Sequence, residues 1–422
     1  MKAGYLAFFL LACQSSGLFG TELYLQIQRG EKLIIALPDF RAKNNSEREM
    51  EAAEELKNVT RSDLLFSRVF NLIEEGPMPA EGKIDFESWS KNGADILITA
   101  NVLNKEADKI QMIASVYEIE TQKSIFQKMY SSNAENTNRM AHEFVADLLY
   151  RFTGQKGLST TKLSFSNNST GVKEVYLVDF DGTNLKRITT DNSLAILPRW
   201  SPEGKEIIYT SYKRHNPDLY IYSLENGTNQ VFSSRKGLNS SASFSPDGKV
   251  LVATLSHEGY PNLYLLDRKG EILQRLTHGK FADTSASFSP DGKRIIFVSD
   301  RPGWPQIYVI DTDGSNLKRL SDSGYCDSPI WSPQGDKIAY SRGTNKGIHE
   351  IVIHDLISGE IAQITNNQGS NENPSFSPDG QYLAFSSNRN QKREIYISSL
   401  DGSMQKKLLE MAGDSFTPSW GP

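Results

Sequence analysis

The residues best equipped for acid–base or metal chemistry are the six histidines, His142, His215, His257, His278, His349 and His354, and they are scattered along the 422 residues. His349 and His354 stand five apart in a segment of strand character, which sends their side chains to opposite faces, so they make a poor metal pair. Two other segments have the composition of a cation loop, Asp179-Phe180-Asp181-Gly182-Thr183-Asn184 and Asp311-Thr312-Asp313-Gly314-Ser315-Asn316. Their glycines fall out of register for a calcium loop and no glutamate follows at the twelfth position, so both read as turns. No Gly-x-Ser-x-Gly elbow is present, which removes the commonest hydrolase that accompanies a repeat of the kind described next. The chemistry-bearing residues therefore point to a chain that is not an enzyme and carries neither metal nor cofactor.

What the sequence does repeat is a turn. Ser289-Pro290-Asp291-Gly292-Lys293 follows Phe288, and the frame recurs after Trp200, Phe244, Trp331 and Phe376, with Trp420 as a last anchor before Gly421 and Pro422. Successive aromatic anchors lie 43 to 45 residues apart, so the chain is an array of one structural unit. Proline presets φ at the first corner of each turn, aspartate caps it locally and glycine supplies the positive φ that closes it. After the turn come the apolar runs Ile295–Val298 and Ile307–Ile310, then Leu317–Leu320. Four short strands per unit of this length are the pattern of a β-propeller blade. Nearly continuous apolar runs suit strands covered on both faces. The strand before each turn is instead rich in small residues and proline, as in Ser285-Ala286-Ser287 and Asn373-Pro374-Ser375, which suits an innermost strand lining a channel.

Six anchors predict six blades, yet only two residues follow Trp420. Lys162–Asn167 and Glu174–Asp179 read like the strands that should follow an anchor turn. The expectation is that residues from about 160 to 190 complete the blade that Trp420 begins, closing the ring and leaving no open edge.

Ahead of the array, Met1-Lys2 and the apolar Tyr5–Ala12 read as a secretory signal, residues 1–20, cleaved after Gly20. Leu10-Leu11-Ala12-Cys13 also faintly resembles a lipoprotein box. Loss of Cys13 would leave Cys326 alone, a small buried strand-end residue, with no internal disulfide possible. Residues 21–31 carry Leu23, Leu25 and Ile27 in alternation, which reads either as an ordinary first strand or as a segment that pairs with another protein's sheet edge. Residues 32–153 form an α/β domain: strands at Leu33–Leu37, Asp95–Ala100, Ile110–Tyr117 and Ser124–Tyr130, helices from Ser46 to about Ser67, at Phe86–Lys91 and at Arg139–Phe152. Residues 154–160 are a glycine-bearing linker, and 161–422 form the six-bladed β-propeller. Net charge is −5 with no Lys/Arg cluster, which argues against a nucleic-acid partner.

This order of parts, with Ile35-Ala36-Leu37-Pro38-Asp39-Phe40 and Gly93-Ala94-Asp95-Ile96-Leu97-Ile98-Thr99, resembles the TolB family, the periplasmic components of Tol-Pal envelope systems. The resemblance implies a monomeric, non-enzymatic periplasmic adaptor that supports outer-membrane integrity and cell division and touches membranes only through partners. It further implies that the channel mouth receives the lipoprotein Pal, and that the mature N-terminal segment binds TolA, other outer-membrane proteins being further partners. The positions that match the Pal site are those just before each inner strand: Asn239 and Ser240, Asp283 and Thr284, Asp327 and Ser328, Asn371 and Glu372, Asp414 and Ser415. The TolA segment maps to Thr21, Glu22, Leu23, Tyr24, Leu25, Gln26 and Ile27. The competing reading is a propeller hydrolase or lyase acting on a small periplasmic substrate, which would need convergent carboxylates or histidines on the inner strands.

Overall fold

The computed structural model describes residues 32–77, 84–106, 108–133, 136–155, 157–345 and 347–422. The signal and the N-terminal segment expected at 1–31 lie outside them. The chain divides into two compact units, the first ending at Thr160 and the second spanning Thr161–Pro422.

In the first unit a mixed sheet runs in the order Phe70–Ile73, Leu33–Ala36, Ile96–Glu106, Lys109–Glu118, Lys123–Asn133, with the short Arg41–Ala42 added to Ile96–Glu106. Phe70–Ile73 and Arg41–Ala42 escaped the sequence reading, because two to four residues show no usable alternation. The helix Glu47–Phe66 begins at a Ser-x-x-Glu box, where Ser46 Oγ accepts from the Glu49 amide at 3.3 Å. The Glu49 carboxylate then accepts from the Asn44 and Asn104 amides at 2.8 Å each, which ties the helix start to the sheet. Thr137–Thr153 stops at Gly154, whose φ of 74° few other residues adopt. His142, on that helix, sits 2.7 Å from Asp63 on the other, so one of the six histidines serves helix pairing. Ile35, Leu56, Ile98, Met112, Phe144 and Leu148 are fully buried between helices and sheet.

The second unit is the expected six-bladed β-propeller, six sheets of four antiparallel strands. The blades begin with the inner strands Ala195–Trp200, Asn239–Phe244, Asp283–Phe288, Cys326–Trp331, Asn371–Phe376 and Ser415–Trp420, which touch one another in succession around a closed ring. The ring closes as the leftover segments predicted. Ser415–Trp420 pairs with Lys162–Asn167, Trp420 opposite Leu163 and Ser415 opposite Asn167, and Glu174–Asp179 adds the next strand. Trp420 Nε1 also donates to Thr161 Oγ1 at 2.9 Å, so the last blade is built from both ends of this unit.

Local chemistry repeats with the fold. In the turn after Phe288, the Gly292 amide donates to the Ser289 carbonyl at 2.9 Å, and Ser289 Oγ accepts from the Arg294 amide at 3.0 Å. Gly292 has φ of 70°, the positive value its position demands. Between second and third strands, four blades set aromatic residues directly opposite, Phe165 and Tyr176, Tyr209 and Tyr220, Phe297 and Tyr308, Phe385 and Tyr396, with ring centres 5.8 to 6.2 Å apart. The Asp179 and Asp311 segments are turns between third and fourth strands. Asp179 and Asp311 accept from Asn184 and Asn316 at 2.7 Å, which closes each turn.

Candidate docking face at the channel mouth

Because strands alternate in direction, the start of every inner strand lies at the same end of the propeller as the loops joining second to third strands. That end gathers the positions predicted for a partner. All six inner strands share a device there that the sequence did not announce. The ladder to the second strand skips between the second and fifth residues, and the third residue takes positive φ: Leu197, Ser241, Ser285, Ser328, Asn373 and Thr417, at 47 to 58°. Such a bulge bends a strand and re-aims its side chains. It also explains the proline at the fourth position in four blades, Pro198, Pro329, Pro374 and Pro418, where the ladder is interrupted and no donor is required.

The register corrects the alignment of the predicted pairs. Counting back from the anchors, Cys326 occupies the place of Asn239, Asp283 and Asn371, while Asp414 stands one residue ahead of its strand. First-position residues are buried and committed to the blades. Asn239 Nδ2 donates to the Arg235 and Gly237 carbonyls at 2.6 and 3.0 Å, while Oδ1 accepts from Ser233 at 2.7 Å. Asn371 bridges Glu350 at 3.1 Å and Arg389 at 3.2 Å. Asp283 has no exposed surface and takes two hydrogen bonds from Arg301, at 2.9 and 3.0 Å. Ser415 Oγ accepts from Asn167 at 3.0 Å. These four hold inner strands in place and offer a partner little. Cys326 is buried as expected, and burial pushes its thiol up to about 11.

Ser240 and Ser328 are also buried, against Thr210 at 3.1 Å and Asn373 at 2.8 Å, and Asp414 accepts from the Arg393 amide at 2.9 Å. Thr284, Asp327 and Glu372, at this end of their strands, remain half-buried. Burial pushes the Asp327 carboxyl above the usual carboxylate range. Burial pulls Glu372 the same way, but hydrogen bonds from Arg393 at 3.0 Å and Ser370 at 2.8 Å outweigh it and hold its carboxyl below that range. His349 lies 3.8 Å from Glu372 and packs edge-on to Tyr325.

Four exposed aromatic residues complete this end, and sequence reasoning missed them. Tyr260 and Trp304 lie on second-to-third loops, Phe281 and Tyr325 on the loops leading into inner strands, exposed by 45, 55, 39 and 48%. Their signal was present: each is a large ring in a turn-rich stretch where no strand period calls for one. Of these, Tyr325 lies beside the Asp327 and Glu372 carboxylates. Among the described residues, no group of three or more His, Cys, Asp or Glu side chains could hold a metal ion.

Fold and mouth together define a two-part protein, an α/β unit joined to a six-bladed β-propeller whose mouth carries exposed aromatic rings and half-buried carboxylates. Family models match on both parts, the TolB amino-terminal domain over residues 23–125 and the TolB beta propeller domain over 149–422. The chain belongs to the TolB family. It is 35% identical over 254 residues to a Tol-Pal system protein TolB of Desulfosudis oleivorans, covering 58% of each chain. It is 31% identical over 179 residues to a TolB homolog of Chlorobium luteolum, covering 40% of each. The chain thus matches less than two thirds of the length of either curated relative. The crystal structure of TolB from Acinetobacter baumannii superposes with a TM-score of 0.78 at 27% identity, over 93% of this chain and 97% of that one. Among the described residues no helix is long and apolar enough to cross a membrane.

Proposed function

We propose that this chain is a periplasmic, non-enzymatic adaptor of a Tol-Pal system, which binds the lipoprotein Pal at the inner-strand end of the propeller and TolA through residues 21–27. The observation that carries the docking reading is the set of aromatic rings around the mouth. Tyr260, Phe281, Trp304 and Tyr325 hold large apolar surface in water. Aromatic residues are the side chains most often found as anchors in protein interfaces. Thr284, Asp327 and Glu372 supply polar selectivity beside them. Family membership supports the choice of Pal as the occupant, and the role in envelope integrity and cell division follows from that choice.

The test is calorimetric titration of the full chain with the soluble domain of Pal. Trp304→Ala and Tyr325→Ala are each expected to weaken binding by about 30-fold, the scale of an interface hot spot, with unchanged thermal stability. Equal affinity in wild type and both variants would remove Pal from this face.

A further inference from the structure

The opposite end of the propeller axis holds a second constellation that docking at the mouth leaves unused. A cavity of about 300 Å³ opens there, where the inner strands run into the anchor turns. Prolines of the anchor turns and aromatic anchors form its wall. Inside them lies the fifth residue of each inner strand: Arg199, Ser243, Ser287, Ile330, Ser375 and Ser419. Four blades place serine at this point and one places isoleucine, so blade packing needs no charge there. Arg199 is the exception.

Among the described residues nothing balances that charge. No acidic side chain lines the cavity, and among the described residues the Arg199 guanidinium has neither an ion pair nor a hydrogen bond. Arg199 is half-buried and lines the cavity. Burial, the one influence on it, pulls its guanidinium down to about 10. A cation in such a place is costly unless something pairs with it. The serines are equally available. Ser375 Oγ accepts from the Trp420 amide at 2.9 Å and keeps its own proton to donate, and the hydroxyls of Ser243, Ser287 and Ser419 have no partner among the described residues.

We propose that this cavity binds an organic monocarboxylate, with Arg199 as the counter-ion and the serine hydroxyls as further donors. The guanidinium fork matches the two oxygens of a carboxylate. One positive charge among neutral hydroxyls neutralises a monoanion and would leave a phosphate dianion half-compensated. Aromatic and proline walls suit an organic body behind the acid group, as in most small-ligand sites. The carboxylate comes either from a free small molecule or from the end of a peptide, and both present the same atoms to Arg199.

Calorimetry on the full chain distinguishes these sources, with benzoate, acetyl-trialanine, its C-terminal amide and inorganic phosphate as probes. At least one of the two carboxylates should bind, the amide should not, and Arg199→Gln should weaken binding at least tenfold. Benzoate alone binding indicates a small-molecule source, and acetyl-trialanine binding indicates a peptide end. No carboxylate binding at tens of millimolar, equal binding by Arg199→Gln, or phosphate binding as tightly as the carboxylates would overturn the assignment. Arg199→Met provides a readout independent of ligand. Removing an unpaired, half-buried charge should raise Tm, whereas a fall would mean that Arg199 serves the blades instead.

Discussion

Gly421 lies so close to the face of Trp200 that a Cβ at position 421 would stand 2.4 Å from the indole ring. The same indole donates from Nε1 to the Ser419 carbonyl at 3.0 Å, so the first anchor of the array clasps the strand that ends it. Overpacking a site without slack costs about 1 to 3 kcal/mol. Gly421→Val should therefore lower the urea midpoint, and Gly421→Ala should do so less. If both variants unfold with the wild type, this contact does not secure the ring.

The Asp283 and Arg301 pair makes a second prediction. Removing one partner of a buried ion pair costs about 3 to 5 kcal/mol, because the other charge stays buried alone. Arg301→Met should thus destabilise the propeller strongly at neutral pH. Burial already raises the Asp283 carboxyl above its ordinary 3.8, outweighing Arg301. A raised acid in the folded state binds its proton more tightly than the unfolded chain does, so stability falls as pH rises through that range. Without Arg301 the carboxyl rises further, and the deficit of the variant should shrink as pH is lowered from 7 toward 4. Denaturation at several pH values checks both the size and the sign. For the same reason, charge reversal at Asp283 would perturb the fold, while Asp327 is the better place to probe docking.

The anchor turns titrate in the other direction. A hydrogen bond from Ser289 at 2.5 Å, joined by the Lys293 amide at 3.1 Å, holds the Asp291 carboxyl below its ordinary 3.8. A depressed acid contributes stability above its unfolded pKa and loses it as pH falls through the folded one. Asp291→Asn should lower Tm by only about 1 to 3 °C at neutral pH, since the group is exposed and screened. The difference between variant and wild type should fade below about pH 4. A pH-independent difference would locate the effect elsewhere.

Under the proposed function, residues 21–30 capture TolA and Pal occupancy biases that capture through differential contacts. Deleting them should abolish TolA capture and leave Pal binding intact or stronger. Surface capture of TolA with and without Pal measures this, and undiminished capture by the deleted chain would refute it.

Much of the propeller could be read from sequence because its determinants are local. A Ser-Pro-Asp-Gly turn sets its own dihedrals, the anchor spacing counts blades, and Lys162–Asn167 fits Trp420 because unpaired edges must meet. Ser46 and Glu49 fix a helix start in the same local way. What lay beyond the sequence were relations among six strands converging on one axis. The bulge at Ser241 and its five counterparts arises where the crowded inner strands must bend, and beside it Asn239 and Asn371 are enclosed while Thr284 and Glu372 stay half-buried. Trp304 and Tyr325 become neighbours of one mouth only when the ring is closed. Arg199 looks like any strand arginine until five other blades surround it with neutral side chains and leave its charge unanswered. Sequence alone therefore settled the repeat, its turns and the join of its ends, since each depends on residues near in the chain or on one missing edge. Tertiary structure alone decided which polar groups are spent inside and which remain for a partner, because burial depends on every blade at once.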